Sequence, residues 1–408
     1  MPQTIAIIGA GQAASQAIDS LRRSGYDGRI VLIGSEPGLP YQRPPLSKKF
    51  LTGEMPAERL LIRPAEFYAT ARVELHLGLR AENLSLEDRT IRLSDGAQVH
   101  YDRLLLATGS SVRRLTVPGA DLPGVHYLRS REDVDAIRRD LVPGARVVVV
   151  GGGYIGLEVA ASCRAGGFEV DVLEMSDRVM NRVVAPEVSA FFAHAHTNAG
   201  VRLHTNRLVS ALLAGPDGRV GAVATLDGPS FPADVVVVGV GVLPETGLAA
   251  AAGIACENGI AVDEHARTSD PSVYAAGDCT SHPSPRYGRR IRLESVDNAF
   301  EQAKTAAENL LGGSARHDRI PWFWSDQYDL KLLIAGLNFD YDRVVLRGDP
   351  GSRTFSCCYL RGTELLAVDS VNQPKDYMAA KKMIAERAHV DGDRLADPTI
   401  GLRESQLT

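Results

Sequence analysis

Ile5-Ala6-Ile7-Ile8-Gly9-Ala10-Gly11-Gln12-Ala13-Ala14 opens the chain, and Arg146-Val147-Val148-Val149-Val150-Gly151-Gly152-Gly153-Tyr154-Ile155-Gly156 repeats its design in the middle. In each, an apolar strand runs into glycines spaced G-x-G-x-x-G, with alanine in the third small-residue slot of the first copy. A strand feeding a tight glycine turn lets backbone amides approach a pyrophosphate, and the positive end of the next helix stabilises its charge. One such motif is weak evidence. Two, each with a second apolar strand about 20 residues on, point to two dinucleotides held at once and electrons passed between them. The residues assigned to these turns are Gly9, Gly11, Ala13 and Ala14 in the first, and Gly151, Gly153, Tyr154, Ile155 and Gly156 in the second.

The strand after each turn ends near the adenosine ribose, so its last residues bear on which nucleotide is bound. Phe168-Glu169-Val170-Asp171-Val172-Leu173 ends on Glu174, a carboxylate able to accept from both ribose hydroxyls and to repel a 2'-phosphate. No Arg or Lys lies between Phe168 and Asp177. NAD is therefore favoured over NADP in the second unit. In the first, Arg29-Ile30-Val31-Leu32-Ile33-Gly34 ends at Ser35-Glu36, where either residue is able to reach a ribose.

The 408 residues are enough for two or three domains, and 44% apolar residues is ordinary for globular cores. The first strand begins almost at the N-terminus, and no apolar run approaches the ~20 residues of a membrane span, so a cytoplasmic enzyme is expected. A net charge of -5 is too mild to imply nucleic acid or membrane binding. Cys163, Cys256, Cys279, Cys357 and Cys358 show no C-x-x-C pair and no metal-ligand spacing. Many two-nucleotide flavoproteins carry electrons onward through a cysteine pair after the first unit. Here that stretch reads Leu39-Pro40-Tyr41-Gln42-Arg43-Pro44-Pro45-Leu46-Ser47-Lys48, with no thiol.

Several further strings complete the pattern: Ala107-Thr108-Gly109, closing a strand from near Tyr101; Thr268 to Asp278, a strand ending in an acid; Glu294-Ser295-Val296-Asp297-Asn298-Ala299; and Pro321-Trp322-Phe323-Trp324-Ser325-Asp326-Gln327-Tyr328. Together with Arg43-Pro44-Pro45-Leu46-Ser47-Lys48 they resemble the FAD-dependent ferredoxin reductases of oxygenase systems, over nearly the whole chain. The resemblance implies that the first unit binds FAD and the second NADH. It implies flavin contacts by Arg43, Pro45, Lys48, Ala81, Ala107, Thr108, Gly109, Arg129, Gly277, Asp278, Ser295, Val296 and Trp324. Relatives carry an acid for the FAD ribose at the position of Ser35, whereas here a carboxylate first occurs at Glu36. Asp278 is expected to accept from a ribityl hydroxyl, the alternative being a helix N-cap. The helix from near Val296 is expected to aim its positive end at the flavin ring. Lys48 and Glu158 are implied as a pair beside the flavin and the nicotinamide, where a cation favours the anionic reduced ring. Catalysis is then mostly positioning for hydride transfer.

The expected architecture is α/β: two Rossmann-like dinucleotide-binding domains of the glutathione-reductase kind and a small α+β C-terminal domain. Residues 1–112 and 243–318 form the FAD domain, 113–242 the NADH domain, and 319–408 the C-terminal domain. In the last, strands are expected over Lys331 to Gly336, Tyr341 to Leu346, Thr354 to Leu360 and Glu364 to Ser370, then a helix over Asp376 to Arg387. The resemblance implies a [2Fe-2S] ferredoxin as electron acceptor, serving a cytochrome P450 or Rieske-type oxygenase. A rubredoxin or quinone reductase, or an NADH oxidase, is the alternative on the same scaffold. An acidic ferredoxin requires a local basic field; Arg286, Arg289, Arg290, Arg292 and Lys304 are the candidates, with Lys331 next.

Overall fold

Runs such as Ile5-Ala6-Ile7-Ile8 and Val147-Val148-Val149-Val150 lack polar alternation, which suits strands buried on both faces and paired in parallel under helices. The structure, a computed structural model, describes residues 2–407. It divides into two compact units. The first takes the chain up to Gln42, Ala57–Ser111 and Val242–Pro321; the second takes Arg43–Pro56, Val112–Gly241 and the chain from Trp322 onward.

In the first unit five parallel strands lie in the order Val273–Ala275, Arg103–Leu106, Thr4–Ile8, Arg29–Gly34, Val73–Leu77. Thr4–Ile8 is central, and the chain crosses first to one side of it and later to the other. Its C-terminal end, which carries Gly9, therefore lies at the topological switch point where open α/β sheets bind ligands. The helix Gln12–Arg23 packs on the helix Val296–Leu310 through buried small residues, Ala13, Ala14 and Ala17 against Ala299, Ala303 and Ala306. Ala81 opens the strand Ala81–Ser85 of a three-stranded meander.

The second unit repeats the plan with parallel strands ordered Arg202–His204, Glu169–Leu173, Arg146–Val150, Val235–Val238, Val125–Tyr127. The two parallel sheets make the fold α/β, as expected. The same unit holds an antiparallel sheet ordered Trp322–Gln327, Leu330–Gly336, Glu364–Val371, Thr354–Arg361, Arg343–Asp349, with the helix Pro374–Ala385 beside it. Element ends in this region shift by one to three residues from the sequence reading, and three differences stand out. Trp322–Gln327 is itself an edge strand, the strand expected from Tyr341 starts at Arg343, and the helix expected from Asp376 starts at Pro374, since proline suits a helix's first turn. Among the described residues no helix is long and apolar enough to cross a membrane.

Candidate active site

Both glycine turns are dictated by backbone geometry. Gly9 and Gly151 each have φ +107°. A Cβ there would stand 2.0 Å from the Ala107 carbonyl oxygen and 2.5 Å from that of Gly239, so only glycine fits. Gly11 and Gly153 are the N-caps of the helices Gln12–Arg23 and Tyr154–Ala165, and neither end has a side-chain cap, unlike the helices that start after Ser130 and Ser295. A Cβ on Gly11 or Gly153 would meet no protein atom within 4 Å. Open space before uncapped amides suits a pyrophosphate, so each turn fits the group assigned to it, FAD in the first unit and NADH in the second.

One hydrogen bond ties Ala107 to the strand that carries the first turn, and further contacts fix its neighbours. The Ala107 amide donates to the Ile8 carbonyl (2.7 Å), and Thr108 Oγ1 donates to the Glu245 carbonyl (2.7 Å). Gly109 and Gly277 have φ +70° and +90°, and a Cβ on Gly277 would lie 3.5 Å from that of Ala13. Ser110 Oγ donates to Asp278 (3.0 Å). No helix begins at Asp278, since a turn leads straight into the strand Thr280–Ser284; this removes the helix-cap alternative. Ala14 requires a correction. It is fully buried in the helix packing, so it keeps two helices close and presents no surface to a ligand. Ser295 does cap the helix that starts at Val296, its side chain accepting from the Asn298 amide at 3.1 Å.

The strand ends expected to meet the two riboses differ. Ser35 is exposed just past the strand end at Gly34, and Glu36 accepts from the Tyr41 hydroxyl at 2.5 Å. Glu174 reaches back to its own turn, accepting from the Gly152 amide (2.7 Å) and from the Ser176 amide (2.8 Å). Arg178, the first cation after that strand, donates to the carbonyls of Val184 (2.9 Å) and Asn181 (3.0 Å).

A buried polar cluster of the second unit surrounds Glu158. Two prolines preset a short 3-10 helix, Pro44–Ser47, and Lys48 follows as its C-cap. Lys48 Nζ and Ser47 Oγ both donate to Glu158 Oε2, at 2.6 Å each, while Ser325 Oγ donates to Glu158 Oε1 at 2.7 Å. Glu158 is buried, and the Lys48 side chain keeps 19% of its exposure. The carboxylate thus draws one donor from the W-F-W-S-D-Q-Y string and two from R-P-P-L-S-K. Sequence reasoning singled out Lys48 and Glu158 and missed Ser47 and Ser325, whose only signal was membership of those strings. Nearby, the Tyr154 ring lies 4.9 Å from Phe323, and Trp324, half-buried, lies 5.5 Å from Trp322. Burial, with Asp369 and Glu158 close by, pushes the Tyr154 hydroxyl well above its ordinary pKa. Arg43 donates to the Arg129 carbonyl at 2.6 Å, and Pro45 lies in the same 3-10 helix as Ser47. Ile155 and Gly156 follow Tyr154, the first exposed and the second tight against the Gly151 carbonyl, where a Cβ would come within 2.0 Å.

The basic candidates are unevenly committed. Arg290, in the strand Arg289–Ile291, donates to the carbonyls of Val262 and Ser281 and so ties that strand to its neighbours, while Arg292 pairs with Glu294 two residues on at 2.5 Å. Arg289 lies on the exposed strand Arg289–Ile291. Lys304 pairs with Glu301 (2.9 Å) and lies over the Phe300 ring (4.2 Å), yet its side chain keeps 42% of its exposure. Among the described residues, no group of three or more His, Cys, Asp or Glu is placed to hold a metal, and the five cysteines are free thiols.

Against known proteins, residues 3–306 match the model of the pyridine nucleotide-disulphide oxidoreductases and residues 322–406 that of the reductase C-terminal family. Rhodocoxin reductase of Rhodococcus erythropolis is 43% identical over 400 residues, covering 98% of this chain and 93% of its own. Putidaredoxin reductase of Pseudomonas putida is 42% identical over 404 residues, covering 98% and 96%. Among solved structures, the covalent putidaredoxin reductase–putidaredoxin complex is similar at a TM-score of 0.95, with 41% identity over 98% of this chain and 97% of that one.

Proposed function

We propose a mechanism from the premise that this chain belongs to the pyridine nucleotide-disulphide oxidoreductase family. Within it, the chain is an NADH-dependent FAD flavoprotein that passes electrons to a [2Fe-2S] ferredoxin serving a cytochrome P450 or Rieske-type oxygenase. When bound, FAD supplies the conversion of a two-electron hydride into single electrons. The observation that carries the ferredoxin reading is the convergence of R-P-P-L-S-K and W-F-W-S-D-Q-Y on one buried carboxylate, together with the absence of a cysteine pair after the first turn.

Each residue then has a physical task. The first turn and its uncapped helix hold the FAD pyrophosphate, Asp278 accepts from the ribityl chain, and either Ser35 or Glu36 meets the FAD ribose. The second turn holds the NADH pyrophosphate, and Glu174 serves its ribose. Lys48, held by Glu158, supplies a fixed cation that stabilises negative charge on the reduced ring. Lys304 and Arg289 steer the ferredoxin, and the enzyme works in the cytoplasm. Anaerobic stopped-flow mixing with NADH, then with candidate [2Fe-2S] ferredoxins, tests this reading. Rapid flavin reduction followed by rapid ferredoxin reduction is expected. Turnover with rubredoxin or oxygen but with no ferredoxin overturns it.

A further inference from the structure

Glu158 is the end of a longer hydrogen-bonded row, all within the second unit. Ser325 Oγ, which donates to Glu158 Oε1, accepts from Gln327 Nε2 at 3.1 Å. Gln327 Oε1 is 2.8 Å from His196 Nε2, and His196 Nδ1 is 3.1 Å from the Tyr328 hydroxyl. Ser325, Gln327 and His196 are buried, whereas Tyr328 is exposed. Burial pushes the His196 pKa down, so the ring is neutral and carries one proton. The amide orientation then dictates every direction. Because Gln327 Nε2 donates to Ser325, its oxygen must accept, which requires the His196 proton on Nε2 and leaves Nδ1 to accept from Tyr328. Each donor in the row points toward Glu158. Alternation along the edge strand Trp322–Gln327 sends Ser325 and Gln327 to the same face, two residues apart.

We propose that Ser325 is a positioning residue for the Lys48–Glu158 pair, held in its donating orientation by Gln327, His196 and Tyr328, so that the C-terminal sheet sets the charge geometry used in flavin reduction. This rests on the reading of Lys48–Glu158 given above. A carboxylate gripped on Oε2 alone is free to swing about its own axis. The third donor locks its plane, and with it the ammonium of Lys48.

Two measurements test this. Long-range proton–nitrogen NMR of the histidine-labelled protein is expected to show His196 as the neutral Nε2–H tautomer; an Nδ1–H or doubly protonated ring overturns the row. In single-turnover reduction by NADH, Ser325→Ala is expected to lower the limiting rate about tenfold with NADH affinity unchanged, and Gln327→Met and His196→Phe about threefold. His196→Gln, whose amide nitrogen reproduces the Nε2 donor, is expected to return the rate to within about twofold of wild type. Lys48→Met separates the two ideas. If it is slowed while Ser325→Ala is not, the positioning role is wrong and the pair stands. If Lys48→Met is itself reduced at the wild-type rate, the reading of the pair falls and this proposal with it. Should His196→Phe fail to fold, the wild-type tautomer and Gln327→Met still decide.

Discussion

The two helices that follow the glycine turns align residue for residue, and Gln16 stands in the first where Glu158 stands in the second. Gln16 makes a local bond, its amide donating to Ser20 Oγ at 2.9 Å, while Glu158 gathers donors from two distant strings. The turns differ in the same sense. Ala14 occupies the slot of Gly156, and that methyl is absorbed by packing among alanines, whereas at Gly156 it would strike the Gly151 carbonyl at 2.0 Å. One helix turns this face to packing and the other to a buried polar cluster, on a shared backbone plan. A repeated motif thus fixes one backbone plan, and the side chains one turn further along give its two copies different partners, a local hydroxyl at Gln16 and a lysine and two serines at Glu158.

The strongest way to break this contrast is exchange at the third slot. Gly156→Ala is expected to lower kcat/KM for NADH about 100-fold or more, through backbone displacement, with FAD content unchanged. The reverse change, Ala14→Gly, is expected to cost only about 1 kcal/mol of stability, read by thermal melting. Equal losses in both would erase the distinction. Next, Glu174→Ala, which removes the acceptor of the Gly152 amide and the acid proposed for the NADH ribose, is expected to weaken NADH use by about one to two orders of magnitude while leaving FAD retention intact. A wild-type kcat/KM for NADPH comparable to that for NADH would contradict the assignment.

A smaller effect lies in pH. Asp369, buried and accepting from the Tyr359 hydroxyl, is pushed up to about 7 by burial, whereas an unfolded aspartate titrates near ~3.9. The folded protein therefore holds a proton that the unfolded chain releases, a contribution complete below about pH 4 and lost as pH rises through 7. Melting temperature is expected to fall by a few degrees across that window, and Asp369→Asn to flatten the fall; an unchanged slope in the variant would place the cause elsewhere. On the first unit, Lys304→Glu is expected to raise the apparent KM for ferredoxin about threefold at low salt and to leave ferricyanide reduction untouched. Least of all in activity, Gln16→Ala, at a buried position with only a local bond, is expected to cost about 1 kcal/mol of stability and to leave the rate of reduction by NADH at the wild-type value, the counterpart of a large loss at Glu158.

Both parallel sheets were legible because Ile5–Ile8 and Val147–Val150 are short apolar runs ending in glycine, a pattern that admits few other folds. Lys48 and Glu158 were legible only through resemblance, since a loop lysine and a helix glutamate 110 residues apart carry no local signal of pairing. Ser325 was hidden for a different reason. In Trp322-Phe323-Trp324-Ser325 the aromatic run obscures strand alternation, and a serine's direction cannot be read without it. Arg290 and Arg292 looked like free cations because carbonyl acceptors such as Val262 and Ser281 leave no trace in composition. Ala14 was legible as small, and small size has two uses.

Arg43–Pro56 belongs to the second unit although the chain on either side of it belongs to the first. The second unit is therefore not separable as a gene fragment. A polypeptide joining residues 112–241 to 322–407 would contain Glu158 and Ser325 but neither Ser47 nor Lys48, and so would bury a carboxylate stripped of its cation, a defect of roughly 3–5 kcal/mol. Any shuffling of these modules between enzymes has to carry fourteen residues of what looks like the neighbouring module along with it.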